Sequence, residues 1–322
     1  MHNCLYIVVP CYNEQDVLLE TAMQLREKVL RLVSDKKVSR DSKIVFVNDG
    51  SKDSTWDLIC QLHKQDKIFI GIDLSRNRGH QNALLAGLMA VRGSADMVIS
   101  IDADLQDDIN AMDEMIKKYN EGCDIVYGVR NSRKHDSFLK RFSAEGYYRF
   151  MNFIGVEMVF NHADYRLMSR RALEALSQFN EVNLFLRGII PMIGYKSDVV
   201  YYERSKRLAG ESKYPARKML SLAFQGITSL SIKPIRMITI LGVVMFLFSI
   251  AMFIYTLIRF FGGFTVTGWS SLIVSVWAIG GLVMLSIGVV GEYIGKIYLE
   301  TKGRPKFIIK EILKSEEQDD NR

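Results

Sequence analysis

Short apolar, often β-branched runs recur through the first 130 positions, and longer stretches with apolar residues three and four apart separate them. LYIVVP, KIVFVND, IFIGIDLS, DMVISID and IVYGVR read as strands, and 14–33, 53–66, 79–92 and 108–121 as the helices between them. Strands this apolar on both faces predict a mostly parallel sheet with helices on both sides, an α/β fold. Ser51 or Asp53 is placed to cap the second helix. In such sheets ligands gather beyond the carboxyl ends of the strands, and those ends carry PCYNE, NDGSKDST, SRNRGHQ and DADLQDD.

The pattern changes in the last third. Met237 to Ile258 is uncharged and mainly apolar, long enough to cross about 30 Å of hydrocarbon as a helix. A second uncharged stretch, Phe260 to Gly291, is broken early by GGFTVTGWSS, which predicts a turn and then a span over 272–290. A two-helix transmembrane hairpin follows. Arg204, Lys206, Arg207, Lys213, Arg217, Lys218, Lys233 and Arg236 precede it and Lys296, Lys302, Arg304, Lys306 and Lys310 come after, so both termini are expected in the cytoplasm. Residues 213–236 mix basic residues with Met219, Leu220, Leu222, Phe224, Ile227 and Leu230, as suits a segment at the membrane interface. The expected organisation is therefore a catalytic domain over 1–212, the interface segment over 213–236, two spans within 237–295 and a cytoplasmic tail over 296–322.

Charge adds one point: Lys and Arg number 42 against 36 Asp and Glu, and much of the +6 excess flanks the spans. Cys4, Cys11, Cys60 and Cys123 form no C-x-x-C pair, which speaks against a zinc site or disulfide framework. A strand-like run so close to the N-terminus leaves no room for a signal peptide. Neither G-x-G-x-x-G nor G-x-x-x-x-G-K-[ST] occurs, so phosphates, if bound, are held by other means.

The densest chemistry is DADLQDD. If the strand stays extended through Ala103, Asp102 and Asp104 project on one side, where two carboxylates repel unless a cation or proton joins them. Oxygen ligands of this kind favour Mg²⁺ or Mn²⁺ shared with substrate phosphates, and Gln106 can add a neutral oxygen. Asp107 and Asp108 are expected only to place negative charge at the next helix start.

In this order PCYNE, VNDGSKDST, LSRNRGHQNALLAGL, DADLQD, DIVYGVR and RLAGESKY, followed by two spans, resemble glycosyltransferase family 2 enzymes that load polyprenyl phosphate. The chain is similar to bacterial undecaprenyl-phosphate glucosyltransferases of the GtrB type and, more distantly, to dolichol-phosphate mannose synthase. The resemblance runs from Leu5 to about Ile309. It implies a GT-A, Rossmann-like catalytic domain, a UDP-sugar donor, a divalent metal and undecaprenyl phosphate as acceptor. Pro10, Tyr12 and Glu14 match positions that hold the nucleoside, Asp49 the acid that contacts the base, and Asp102 the acid near ribose and metal. Asp104 and Gln106 match the metal ligands. Arg130 joins Asp102 and Asp104 as a catalytic candidate, and Arg141, Arg207, Ser212, Lys213 and Tyr214 match positions that approach the lipid phosphate. Asp164 and Arg166 match a segment near the sugar pocket, although a plain ion pair fits them equally. Asn48 departs from the pattern, standing where many relatives have a second aspartate.

The resemblance further implies inverting transfer, glucose as the first choice of sugar, contact with membrane lipids and not nucleic acid, residence in a bacterial plasma membrane, and a homo-oligomer, by analogy a tetramer. A processive polysaccharide synthase would need Q-x-x-R-W, yet none of Trp56, Trp269 and Trp277 follows an arginine. A non-catalytic scaffold is the remaining alternative, and the intact DAD, NDG and SKY runs argue against it. His80 opens a helix close to the donor loops and reads as a hydrogen-bonded surface imidazole, and His2, His63, His135 and His162 lack ligand spacing.

Overall fold

A computed structural model of the chain describes residues 3–130, 162–181, 185–203, 233–261 and 268–313. These divide into two compact units, one built around a β-sheet and the other holding two long helices.

In chain order the sheet unit contains β1 (Leu5–Cys11), α1 (Leu18–Ser34), β2 (Lys43–Asn48), α2 (Thr55–Gln65), β3 (Phe69–Leu74), α3 (His80–Val91), β4 (Met97–Ser100), α4 (Ala111–Asn120) and β5 (Ile125–Arg130). It continues with β6 (His162–Ser169), α5 (Arg170–Leu176), α6 (Leu186–Met192), β7 (Ser197–Tyr202) and, after the helical unit, β8 (Ile309–Leu313). The eight strands lie in the order β7-β5-β6-β4-β1-β2-β3-β8. Pairings among β1, β2, β3 and β4 are parallel, as is β5 with β7, whereas β6 runs antiparallel to β4 and β5, and β8 antiparallel to β3. The mostly parallel α/β expectation is met.

Strand side chains alternate between two cores because successive residues point to opposite faces. Leu5, Ile7, Val9, Ile44, Phe46, Met97 and Ile99 pack with α1, α2 and α4. Tyr6, Val8, Val45, Val47 and Val98 pack with α3, α5 and α6 on the other face. Gly87 is what lets α3 lie so close, since a Cβ there would come within 2.5 Å of Val8 Cγ1 and 2.7 Å of Val47 Cγ2. From β1 the chain steps outward to β2 and β3, then returns to place β4 on the other side of β1. In open α/β sheets the point beyond the carboxyl ends of two strands at such a reversal, here β1 and β4, is the usual ligand position.

The segment expected to be a tail differs. Residues 296–301 still belong to a helix, and Ile309–Leu313 adds a strand to the sheet edge, covering the open side of β3. Five residues carried too weak a pattern to signal a strand, and only the free hydrogen-bonding edge of β3 makes them one.

The helical unit comprises α7 (Lys233–Phe261) and α8 (Trp269–Thr301), which touch each other. The first expected span, 237–258, falls within α7. Among the described residues one stretch, Ile279–Thr301, is long and apolar enough to cross a membrane, and it overlaps the second expected span while running further toward the C-terminus.

Candidate active site

The loops after β1, β2, β3 and β4 lie at the carboxyl end of the sheet, and backbone N–H groups donating to side-chain oxygens tie the first three together. Asn13, in the left-handed region at φ 53°, donates its N–H to Ser51 Oγ at 3.0 Å and accepts from Lys52 N at 2.9 Å. Glu14 N donates to Thr55 Oγ1 at 2.9 Å, and the Glu14 carbonyl accepts from Val17 and Leu18 at the start of α1. The N-cap of α2 is Ser54 and neither of the two expected residues, but Asp53, one residue earlier, accepts from Thr55 N and Oγ1 at 3.1 and 2.6 Å. Pro10 is buried at the end of β1, while Tyr12 is 39% exposed and available for stacking.

Asp49 is buried, and its two oxygens accept from Arg78 N at 2.6 Å and Gly79 N at 2.9 Å. Burial pushes its carboxyl upward while these two amides work against it. Asp49 thus fastens the loop before α3 to the loop after β2. Gly50, at φ 62°, allows the contact: a Cβ there would lie 2.6 Å from Asn77 N and 2.7 Å from Arg76 C.

The strand does not stay extended through DAD. β4 ends at Ser100, residues 103 and 104 turn, and Leu105 takes φ 52°, a left-handed conformation that costs a bulky residue about 1 kcal/mol or more. The shared-side argument for Asp102 and Asp104 therefore fails, because the backbone turns between them. Gln106 N instead donates to Asp104 Oδ1 at 3.2 Å, a local turn, and the Gln106 side chain is buried.

Asp102 opens onto a charged cluster. His80 Nε2 lies 3.4 Å from Asp102 Oδ1 and 3.6 Å from Asp164 Oδ2. Arg187 grips Asp164 with Nε on Oδ1 at 3.3 Å and Nη2 on Oδ2 at 3.1 Å, and the fully buried Arg166 reaches the same carboxylate. Burial opposes charge on His80, but the hydrogen bond to Asp164 and the field of Asp102 prevail and hold it up at about 9. Burial pushes the Asp102 carboxyl upward against the pull of His80, with Asp164, Asp107 and Asp104 adding to the rise. Burial alone would raise Asp164 too, yet Arg187, His80 and Arg166 hold it well below the usual carboxylate range. His80 is exposed and hydrogen-bonded as expected, at 38% of its side-chain surface, but its partners were not foreseen: the β6 strand brings Asp164 beside Asp102 and the imidazole bridges them. Nothing in the local pattern announced Arg187, which approaches from α6.

Asp107 also departs from its expected role. It is 3% exposed, and its Oδ1 accepts from Tyr202 Oη at 2.6 Å and from Arg130 Nε and Nη2 at 3.3 and 3.1 Å. Burial works against the Arg130 charge, but Asp107 and Tyr202 outweigh it and strengthen that charge. Arg130 is thus oriented by partners from two other elements. Asp108 accepts from Asn110 N at 2.9 Å just before α4, close to its expected local role. His63 is structural, its Nδ1 lying 2.6 Å from the Phe69 carbonyl. Arg141, Arg207, Ser212, Lys213 and Tyr214 lie outside the described residues.

The fit to a divalent ion rests on Asp102. Its Oδ1 is shielded from solvent and, beyond the ion-pair contact with His80 Nε2 at 3.4 Å, makes no hydrogen bond, so it has acceptor capacity to offer a cation. Among the described residues no group of three or more His, Cys, Asp or Glu side chains could enclose a metal alone.

Residues 6–177 match the family model for glycosyl transferase family 2. The chain belongs to that family. It is 54% identical over 305 residues to the uncharacterized glycosyltransferase YkoT of Bacillus subtilis, covering 95% of this chain and 90% of that one. It is 41% identical to the prophage bactoprenol glucosyl transferase homolog of Escherichia coli K12, over 96% of this chain and 99% of the relative. The bactoprenol glucosyl transferase of Shigella phage SfV is likewise 41% identical, over 94% and 97%. Among solved structures, mannosyl-3-phosphoglycerate synthase from Rubrobacter xylanophilus superposes with a TM-score of 0.48 at 14% identity, over 70% of this family 2 chain and 72% of that one.

Proposed function

We propose that this family 2 glycosyltransferase transfers a sugar, glucose in the first instance, from a UDP-sugar to undecaprenyl phosphate at the cytoplasmic face of a bacterial membrane. The observation that carries this reading is the 41% identity to bactoprenol glucosyl transferases along nearly the whole chain, helical unit included. α7 and α8 would be the two spans that keep the enzyme with its lipid acceptor.

A phosphate oxygen of the acceptor attacks the anomeric carbon, the bond from that carbon to the diphosphate breaks, and UDP leaves with the electron pair, inverting the centre. The acceptor phosphate, with a second pKa of about 6, is already largely dianionic near neutrality and needs no strong base. Tyr12, Pro10, Glu14 and Asp49 receive the nucleoside, Tyr12 by stacking on the base. Asp102 faces the ribose, and Asp104 and Gln106, with Asp102 close by, would hold Mg²⁺ or Mn²⁺. When bound, that ion supplies positive charge to the departing diphosphate. Asp164, held by Arg187 and His80, is an acceptor for sugar hydroxyls. Arg130, aimed by Asp107, joins Arg141, Arg207 and Lys213, with Ser212 and Tyr214, in offsetting repulsion between two anionic substrates.

The deciding experiment offers purified protein a panel of radiolabelled UDP- and GDP-sugars with undecaprenyl phosphate. Label in a lipid product from one UDP-sugar is the expected result. Label in water-soluble product alone, or none from any donor, would overturn the reading.

A further inference from the structure

The strand that returns after the helical unit does more than cover a sheet edge. β8 pairs with β3 through Gly71 with Leu313, Ile72 with Ile312 and Asp73 with Glu311, then skips to Leu74 with Ile309. Lys310 is the residue left over in this bulge. A bulge re-aims a side chain, and here the Lys310 ammonium reaches Asp73 Oδ2 at 2.9 Å.

Asp73 is 5% exposed, so its charge needs a partner. Its other oxygen accepts from Asn48 Nδ2 at 2.7 Å, and Asn48 Oδ1 in turn accepts from Ser51 N at 3.2 Å. A continuous chain thus runs from Lys310 through Asp73 and Asn48 into the NDGS loop. That loop holds Asn13 through Ser51 and holds Arg78 and Gly79 through Asp49. A second link leads to the same place: Ser75 N, where the loop before α3 begins, donates to the Ile308 carbonyl at 3.0 Å.

We propose that Lys310 is a positioning residue that holds the two donor loops, 48–53 and 75–79, in register through Asp73 and Asn48. This rests on the reading that these loops receive a nucleotide-sugar. Asn48 suits this role: its amide can donate to Asp73 and accept from Ser51, whereas a carboxylate there would repel Asp73.

An exposed lysine on a surface carboxylate contributes little. The difference here is that the carboxylate is buried and its second oxygen is committed to the loop. Global stability should therefore change little on substitution while local order changes more.

The test compares the full-length wild type, Lys310→Met and Lys310→Arg by amide hydrogen exchange and by UDP binding with Mn²⁺ present. In Lys310→Met, peptides covering 48–53 and 75–80 should exchange faster, with β1 and α1 peptides unchanged, and the Kd for UDP should rise about fivefold. Lys310→Arg, which still reaches the carboxylate, should restore both. Unchanged exchange in the two loops, or a uniform rise across the sheet, would overturn the proposal, as would faster loops with an unchanged Kd. If the wild type itself binds no UDP, the functional reading falls, and the loop-exchange comparison still decides the relay.

Discussion

Arg187 and Asp164 meet as a fork, two guanidinium nitrogens on two carboxylate oxygens at 3.3 and 3.1 Å. The pair is sited where His80 and Asp102 also converge. Lysine offers a point charge and not a fork. Arg187→Lys should therefore lower kcat/KM for sugar transfer by about tenfold, a loss of about 1.4 kcal/mol in the transition state, and Arg187→Ala by more. Steady-state kinetics with the lipid acceptor checks this, and equal rates for arginine and lysine would count against a fixed Asp164 orientation.

The same pair sets a response to acid. Asp164 is held well below the ordinary carboxyl value of about 4. Its contribution is present above that value and is lost as pH falls through the lower folded one. Removing Arg187 brings the folded value back up, so Arg187→Ala should begin to lose structure at higher pH than the wild type. Circular dichroism during acid titration reads the shift.

Gly50→Ala should separate the loops after β2 and β3. The new methyl would meet backbone atoms of Asn77 and Arg76 at 2.6 and 2.7 Å, and neither can rotate away. UDP binding should weaken by about tenfold or more, the equivalent of about 1.4 kcal/mol. Gly122→Ala is the control: also at positive φ, 88°, but with only Lys196 Nζ at 3.8 Å, it should cost about 1 kcal/mol of stability with binding intact. Calorimetric titration distinguishes the two.

Asp107→Ala strips Arg130 and Tyr202 of their shared acceptor. Because Asp107 is buried and Arg130 partly exposed, the expected loss is about 2 kcal/mol in urea denaturation. A loss confined to activity, with the urea midpoint unmoved, would contradict the packing role of this aspartate.

Chelation should stop transfer, and added Mn²⁺ or Mg²⁺ should restore it. Asp104→Ala should remove that dependence along with most activity. Full activity in the variant would eliminate Asp104 as a ligand.

The strand and helix rhythm of the first 130 residues was legible because each element satisfies a local rule: strands bury both faces, and helices place apolar residues on one. The motif ends PCYNE, NDGS and DAD were legible for the same reason, since polar residues at strand ends mark a ligand edge wherever the sheet is parallel. Tertiary structure decided what depends on residues far apart in the chain. Strand order put β6 beside β4 and so Asp164 beside Asp102, gave the surface imidazole of His80 two carboxylates to bridge, and brought Arg187 onto the same Asp164 carboxylate. It gave Asp107 to Arg130 and Tyr202, where local reading saw only a charge before a helix. It also drew Ile309–Leu313 back to β3, placing Lys310 on Asp73 across 237 positions of sequence. Periodicity is a property of neighbours along the chain, whereas the pairing of buried charges is set by which backbones lie side by side, and no local pattern encodes that.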